Sequence, residues 1–91
     1  MGALKRTLPI VNVRGLHARA SRKLAELALS YECRIMVRRE EDEADARSLM
    51  DLMMLGAAIG SDIEVEAEGP GAEEALDAIQ ALVAAKFHEG E

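Results

Sequence analysis

The residues best suited to chemistry stand together in one run, Arg14-Gly15-Leu16-His17-Ala18-Arg19. A neutral imidazole is a nucleophile able to form a covalent intermediate. His17 sits just ahead of a stretch whose apolar residues recur at Ala20, Leu24, Leu27, Ala28 and Tyr31, the spacing of one helix face. The spacing predicts a helix running from just after His17 to about Ser30. The first N–H groups of a helix lack intrahelical acceptors and sit at the positive end of its dipole, so the helix mouth attracts anions. A phosphoryl group taken up by His17 would land against those N–H groups and Arg19. Gly15 would let the chain turn sharply before the helix, including at positive φ. A plainer role also fits these residues: a histidine before a helix often serves as a surface cap, and Arg22 and Lys23 suit a solvated helix face.

The elements that must position this run follow in order. Residues 4–12 read as a strand with Leu4, Leu8 and Ile10 on one face and Arg6 breaking the pattern. Pro9 cannot donate to a ladder, which places this strand at a sheet edge. Asn12 to Leu16 is then the turn that presents His17. Arg34 to Arg38 reads as a second strand, with Cys33, Ile35 and Val37 pointing one way. Ser48-Leu49-Met50-Asp51 has the form of a helix start, and Gly56 closes that helix early. So short a helix cannot bury Leu49, Met50, Leu52, Met53, Met54 and Leu55 against one core. Leu52 and Leu55 are expected inside, and the others face solvent or a partner. Asp62 to Glu68 alternates strictly, Ile63, Val65 and Ala67 inward and the acids outward, as in an antiparallel sheet with one wet face. Arg34 and Arg38 are the natural cross-strand partners of those acids. After Gly69-Pro70-Gly71 a last helix carries Ala72, Ala75, Leu76, Ile79, Leu82, Val83 and Phe87 on one stripe.

The composition narrows the function. The chain of 91 residues reads as one small domain covering residues 1–91. It shows no signal peptide and no apolar run of bilayer length. One cysteine, Cys33, excludes an internal disulfide and fits a reducing cytoplasm; it reads as a packed strand residue. No zinc-ligand pattern occurs, and His88, the second histidine, reads as a solvated surface residue. The net charge of −6 conceals an asymmetry: Lys5, Arg6, Arg14, Arg19, Arg22 and Lys23 all precede the first acid, Glu26. A basic end on an acidic protein suits an acidic protein partner or a phosphate. With Tyr31 and Phe87 as its aromatics, the chain is a poor candidate for nucleic-acid binding.

G-L-H-A-R, the amphipathic stretch after it, and S-L-M-D-L-M-M-L-G from Ser48 onward resemble the HPr family, the histidine phosphocarriers of bacterial phosphotransferase systems. The likeness spans nearly the whole chain, and I-E-V-E-A-E-G-P with the acidic tail makes it most similar to the nitrogen-branch NPr type. The resemblance implies an open-faced α/β sandwich, β-α-β-β-α-β-α, with strand order 1-4-2-3, and supplies a short strand near Glu43 to Ala46. It implies that His17 accepts a phosphoryl group at Nδ1 from phosphorylated enzyme I, of the sugar or nitrogen branch, and passes it to an EIIA-type protein. Arg19 would stabilise the group in transit. Arg14, Arg22 and Lys23 with Leu49, Met50 and Met53 would form the docking face. Ser48 aligns with the serine that HPr kinase/phosphorylase modifies in many relatives. No metal, cofactor, nucleic acid or membrane is implied, and the expected state is a cytoplasmic monomer without stand-alone activity. Relatives usually carry proline where this chain has Ala20. The alternative is a regulatory binding module controlled by phosphorylation of His17 and Ser48.

Overall fold

A computed structural model describes residues 2–89; Gly90 and Glu91 of the acidic tail lie outside them. The elements are β1 (Leu4–Pro9), α1 (Ala18–Leu29), β2 (Arg34–Arg39), β3 (Asp42–Asp45), α2 (Leu49–Met54), β4 (Asp62–Glu68) and α3 (Ala72–Ala84), followed by a short 3-10 turn (Lys86–His88). The strands form one antiparallel sheet in the order β1-β4-β2-β3, the order that the resemblance implies. The helices cover one face and leave the other to solvent, an open-faced sandwich.

Alternation along β4 sets the sheet. Ile63, Val65 and Ala67 are buried, and they meet Leu8 in β1 and Val37 and Ile35 in β2 across the ladders. Cys33 lies just before β2, buried and free of any disulfide. On the wet face Arg38 donates to Glu43, Glu64 and Glu66. Hydrogen bonding from Arg38 is the main cause holding the Glu66 carboxyl below its usual range. Glu68 stands opposite Arg34 in the register.

Three strands differ in their bounds from the sequence expectation, β2 only by running one residue further, to Arg39. β1 ends at Pro9, short of residue 12, because β4 begins at Asp62 and the ladder stops with the Pro9–Asp62 pair. Beyond it the chain is tied to a loop instead: the Ile10 N–H donates to the Ser61 carbonyl at 2.8 Å and the Gly60 N–H to the Ile10 carbonyl at 3.0 Å. Leu4, expected on the core face, lies at the uncovered end of the edge strand and is 44% exposed. β3 spans Asp42–Asp45, one residue earlier than expected, and pairs with β2 through Arg39 and Asp42.

The helices supply the rest of the core. α1 buries Ala20, Ser21, Leu24, Ala25 and Ala28, with Leu27 and Tyr31 packed at its margin. α3 buries Ala75, Leu76, Ile79, Leu82 and Val83. Phe87 is fully buried too, although it does not continue the α3 stripe. The helix ends at Ala84, and Phe87 reaches the core from a left-handed turn. α2 buries Leu52, with Leu55 at its C-terminal cap also inside. Met50 and Met54 are 66% and 78% exposed, with Leu49 and Met53 partly so. A short greasy helix thus plugs the core with one side and presents a flexible apolar surface with the other.

Candidate functional site

The turn that presents His17 is built from Asn12, Gly15 and Leu16. Asn12 is completely buried, and its side-chain amide donates to the Gly15 carbonyl at 2.9 Å while the Gly15 N–H returns to the Asn12 carbonyl at 3.2 Å. Gly15 adopts φ +61°, and a Cβ there would stand 2.2 Å from the Ala57 carbonyl oxygen. No other residue fits both the backbone angle and that close approach. The Leu16 N–H donates to the same Ala57 carbonyl at 2.9 Å, so the loop after α2 braces the turn from behind. Leu16 is buried, and its carbonyl accepts from the buried Ser21 hydroxyl at 3.0 Å.

His17 is the N-cap of α1. Its backbone is extended, and its carbonyl accepts the first intrahelical bond, from the Ser21 N–H. The ring does the capping: Nδ1 accepts the Arg19 N–H at 3.0 Å. An accepting nitrogen carries a lone pair, so Nδ1 is unprotonated in this arrangement. The opposite nitrogen, Nε2, faces the carboxylate of Glu89, with Oε1 at 3.1 Å and Oε2 at 2.8 Å. The hydrogen bond from Nε2–H runs to Oε1, while Oε2, although closer, is out of line for one and has no hydrogen-bond partner among the described residues. These contacts together define the tautomer, with the proton on Nε2 and the electron pair on Nδ1, turned to the helix mouth and capped there by the Arg19 N–H. The His17 side chain retains 21% exposure, enough for a reactant to approach.

Glu89 comes from the far end of the chain on a tethered tail. Lys86, Phe87 and His88 have φ of +56°, +55° and +57°, the left-handed region, which costs L-residues about 1–2 kcal/mol each. Three anchors hold this turn. Phe87 fills the core, Lys23 donates its ammonium to the Phe87 carbonyl at 2.5 Å, and the Asn12 amide reaches Glu89 Oε1 at 3.4 Å. The Glu89 side chain is only 6% exposed. Burial pushes its carboxyl upward, but hydrogen bonding and charge from His17, with Asn12 and Lys23 adding to them, outweigh burial and hold it below the usual range. Nothing in the sequence pattern marks Asn12 or Glu89 as site residues. The available hints were an Asn three residues before a Gly and a lone aromatic in a polar tail.

The remaining expected residues divide. Arg14 and Arg19 are exposed, and Arg19 follows the cap at the mouth of α1 with its guanidinium unpaired among the described residues. Arg22 pairs along the helix with Glu26 at 3.2 Å. Lys23 is turned to the tail carbonyl and is half-buried there. Ala20 takes a buried first-turn position with no proline needed to start the helix. The Ser48 hydroxyl caps α2, accepting the Asp51 N–H at 3.2 Å. Leu49, Met50 and Met53 lie exposed on α2, as do Val13 in the His17 turn and Ile59 in the bracing loop, two apolar residues missing from the expected face. His88 is exposed and lies outside the site. Among the described residues there is no cluster able to hold a metal ion and no helix long and apolar enough to cross a membrane.

An electron pair on an accessible imidazole, aimed at helix N–H groups beside an arginine, is an arrangement for accepting a phosphoryl group. Comparison with known proteins gives the family. A family model described as "PTS HPr component phosphorylation site" matches residues 4–85. The phosphocarrier protein HPr of Cupriavidus necator is 47% identical over 97% of this chain and 99% of its own. The phosphocarrier protein NPr of Escherichia coli K12 is 45% identical over 94% of this chain and 97% of its own. Among solved structures, HPr-C-His from Thermoanaerobacter tengcongensis superposes with a TM-score of 0.92 at 33% identity, covering 97% of this chain and 99% of that one. The HPr of Bacillus anthracis gives 0.85 at 28% identity over 89% and 96%. The chain therefore belongs to the HPr family, the histidine phosphocarriers of the phosphotransferase system.

Proposed function

We propose that His17 is the carrier residue, that it takes a phosphoryl group on Nδ1 from phosphorylated enzyme I, and that it passes the group to an EIIA-type acceptor. The observation that supports this most directly is the Arg19 N–H held at 3.0 Å from Nδ1. It points the electron pair at the helix mouth, where the incoming phosphate oxygens meet N–H groups. The carrier works in the cytoplasm and has no activity of its own: its two partners supply the donor and acceptor histidines. Enzyme I here is that of the sugar or the nitrogen branch, since relatives of both names stand at nearly equal identity. With phosphoenolpyruvate and enzyme I the protein should acquire acid-labile phosphate. His17→Ala should abolish the label and His88→Ala should leave it intact. Label retained by His17→Ala would refute the assignment.

Arg19 serves the group in transit. Its guanidinium stays charged at any working pH and offers paired donors to phosphate oxygens. The neutral ring has little need of it, so the interaction forms as negative charge arrives and lowers the barrier to transfer. Charge-assisted hydrogen bonds are worth about 1.5–3 kcal/mol, or roughly ten- to a hundredfold in rate. Arg19→Ala should slow single-turnover transfer on that scale with little change in Tm, and lysine should restore only part. Arg22→Ala, which breaks a surface pair with Glu26 and removes a docking charge, should transfer at the normal rate once enzyme I is saturating. Equal losses in the two variants would remove any special role for Arg19.

Docking uses the exposed side of α2, Leu49, Met50 and Met53, beside the basic mouth of α1 with Arg14, Arg19 and Arg22. Lys23 contributes charge from its tethered position. Rim charges act mostly on association and apolar anchors on dissociation. Met50→Glu should weaken binding of enzyme I, mainly through faster dissociation, and leave the Tm near normal because the side chain is 66% exposed. Amide shifts on titration with enzyme I that cluster around Glu64 and Glu66 would place docking on the wet sheet face and contradict this surface.

A further inference from the structure

We propose that Glu89 is a positioning residue for phosphotransfer: its carboxylate, carried on the Lys86–His88 turn, keeps the proton of His17 on Nε2 and so keeps Nδ1 free to attack. This rests on the reading of His17 as the carrier residue and adds to it a second partner for the ring. Helix capping accounts for Nδ1 alone, through the Arg19 N–H. It leaves Nε2 open to solvent in the absence of the tail. The tail closes that side with both carboxylate oxygens within 3.1 Å of Nε2.

The construction of the tail argues that the contact is selected and not incidental. A solvated C-terminal acid has no need of a buried aromatic, a lysine bond to its carbonyl and three successive left-handed residues. Left-handed backbone at non-glycine residues persists only where surrounding contacts hold it, and such strain gathers at functional sites. Asn12 joins the two halves. One buried amide donates to the Gly15 carbonyl of the His17 turn and to Glu89 Oε1, so the turn and the tail are set by the same side chain.

The chemistry uses the carboxylate in both states of the ring. In the attack, the Nδ1 electron pair leaves the Arg19 N–H, which is then free for a phosphoryl oxygen, and forms the new N–P bond while the donor's N–P bond breaks and its pair returns to the donor ring. His17 keeps its Nε2 proton throughout, so the phosphorylated ring carries a positive charge shared with Nε2. Glu89 faces that charge. A charged ring is the better leaving group when the acceptor attacks phosphorus, so the carboxylate supports the onward step as well as the first. An Nδ1–H tautomer would have no pair to offer at the helix mouth, and the Arg19 N–H would meet a donor.

Two variants of the full chain, Glu89→Gln and Glu89→Ala, test this with two readouts. The first is the tautomer of unphosphorylated His17, read from its ring nitrogen shifts by NMR, which needs no donor or partner. The second is the single-turnover rate with phosphorylated enzyme I. Glu89→Gln can turn its amide oxygen to Nε2–H, so it should keep the tautomer and lose only the charge. Glu89→Ala should lose both, showing a larger fraction of Nδ1–H tautomer against the remaining Arg19 N–H contact, and slower transfer, by roughly tenfold, the scale at which partners behind a working histidine act. Glutamine should transfer faster than alanine. If Glu89→Ala keeps wild-type ring shifts, the proposal is overturned whatever happens to the rate, because Glu89 then does not set the tautomer. If the shifts change and the rate does not, the positioning role is likewise overturned. Failure of the carrier reading is distinguished by His17→Ala retaining label, a result independent of the ring shifts.

Discussion

The His17 ring is held at both nitrogens, and the site depends on that double hold. A backbone N–H fixes Nδ1 at 3.0 Å and a carboxylate closes on Nε2 at 2.8 Å. The first makes Nδ1 an acceptor and the second faces Nε2 with a carboxylate, so both favour the same tautomer. Together they give one orientation and one tautomer, at the cost of burying an acid and bending the tail through left-handed backbone. Nδ1, the atom we propose reacts, is thereby pointed at the mouth of α1 beside Arg19.

The rest of the fold exists to bring these pieces to one end of the molecule. β1 delivers the turn, and its early stop at Pro9 frees Ile10 to bond the loop that begins after α2. That loop braces Gly15 and Leu16 through the Ala57 carbonyl. α1 starts at the histidine, and α3 ends where its tail can cross back over the α1 mouth to be caught by Lys23. The apolar side of α2 lies exposed near this end of the fold. A carrier meets at least two partners in turn, and methionine side chains suit such a shared surface because they repack at little cost.

Much of this was legible from residue spacing. Ile63-Val65-Ala67 against four acids reads as one half-wet strand, and the structure bounds it as Asp62–Glu68. The Ala20–Leu24–Ala28 spacing reads as a helix that starts after His17, as observed. Gly15 was legible as a turn, though the 2.2 Å approach to Ala57 that demands it was not. Phe87 misled, because it falls four residues after Val83 and so fits the α3 period. The side chain does reach the core, but along left-handed backbone that periodicity cannot distinguish from helix. Glu89 was invisible for a different reason. It meets His17 across 72 residues of sequence, and an acid in an acidic tail carries no pattern of its own. Lys23, read as part of a basic docking face, is also bonded to the tail that carries Glu89, a use that only the folded chain reveals.

The account's central claim is that the folded protein offers one ring nitrogen for chemistry. The most direct measurement is the position of the phosphoryl group on the phosphorylated protein, read by NMR from phosphorus coupling to the His17 ring nitrogens after labelling with phosphoenolpyruvate and enzyme I. Phosphorus bound to Nδ1, with the proton retained on Nε2, is the predicted result. Phosphorus bound to Nε2 would require Glu89 to have left the ring and the helix mouth to play no part, and would contradict the account.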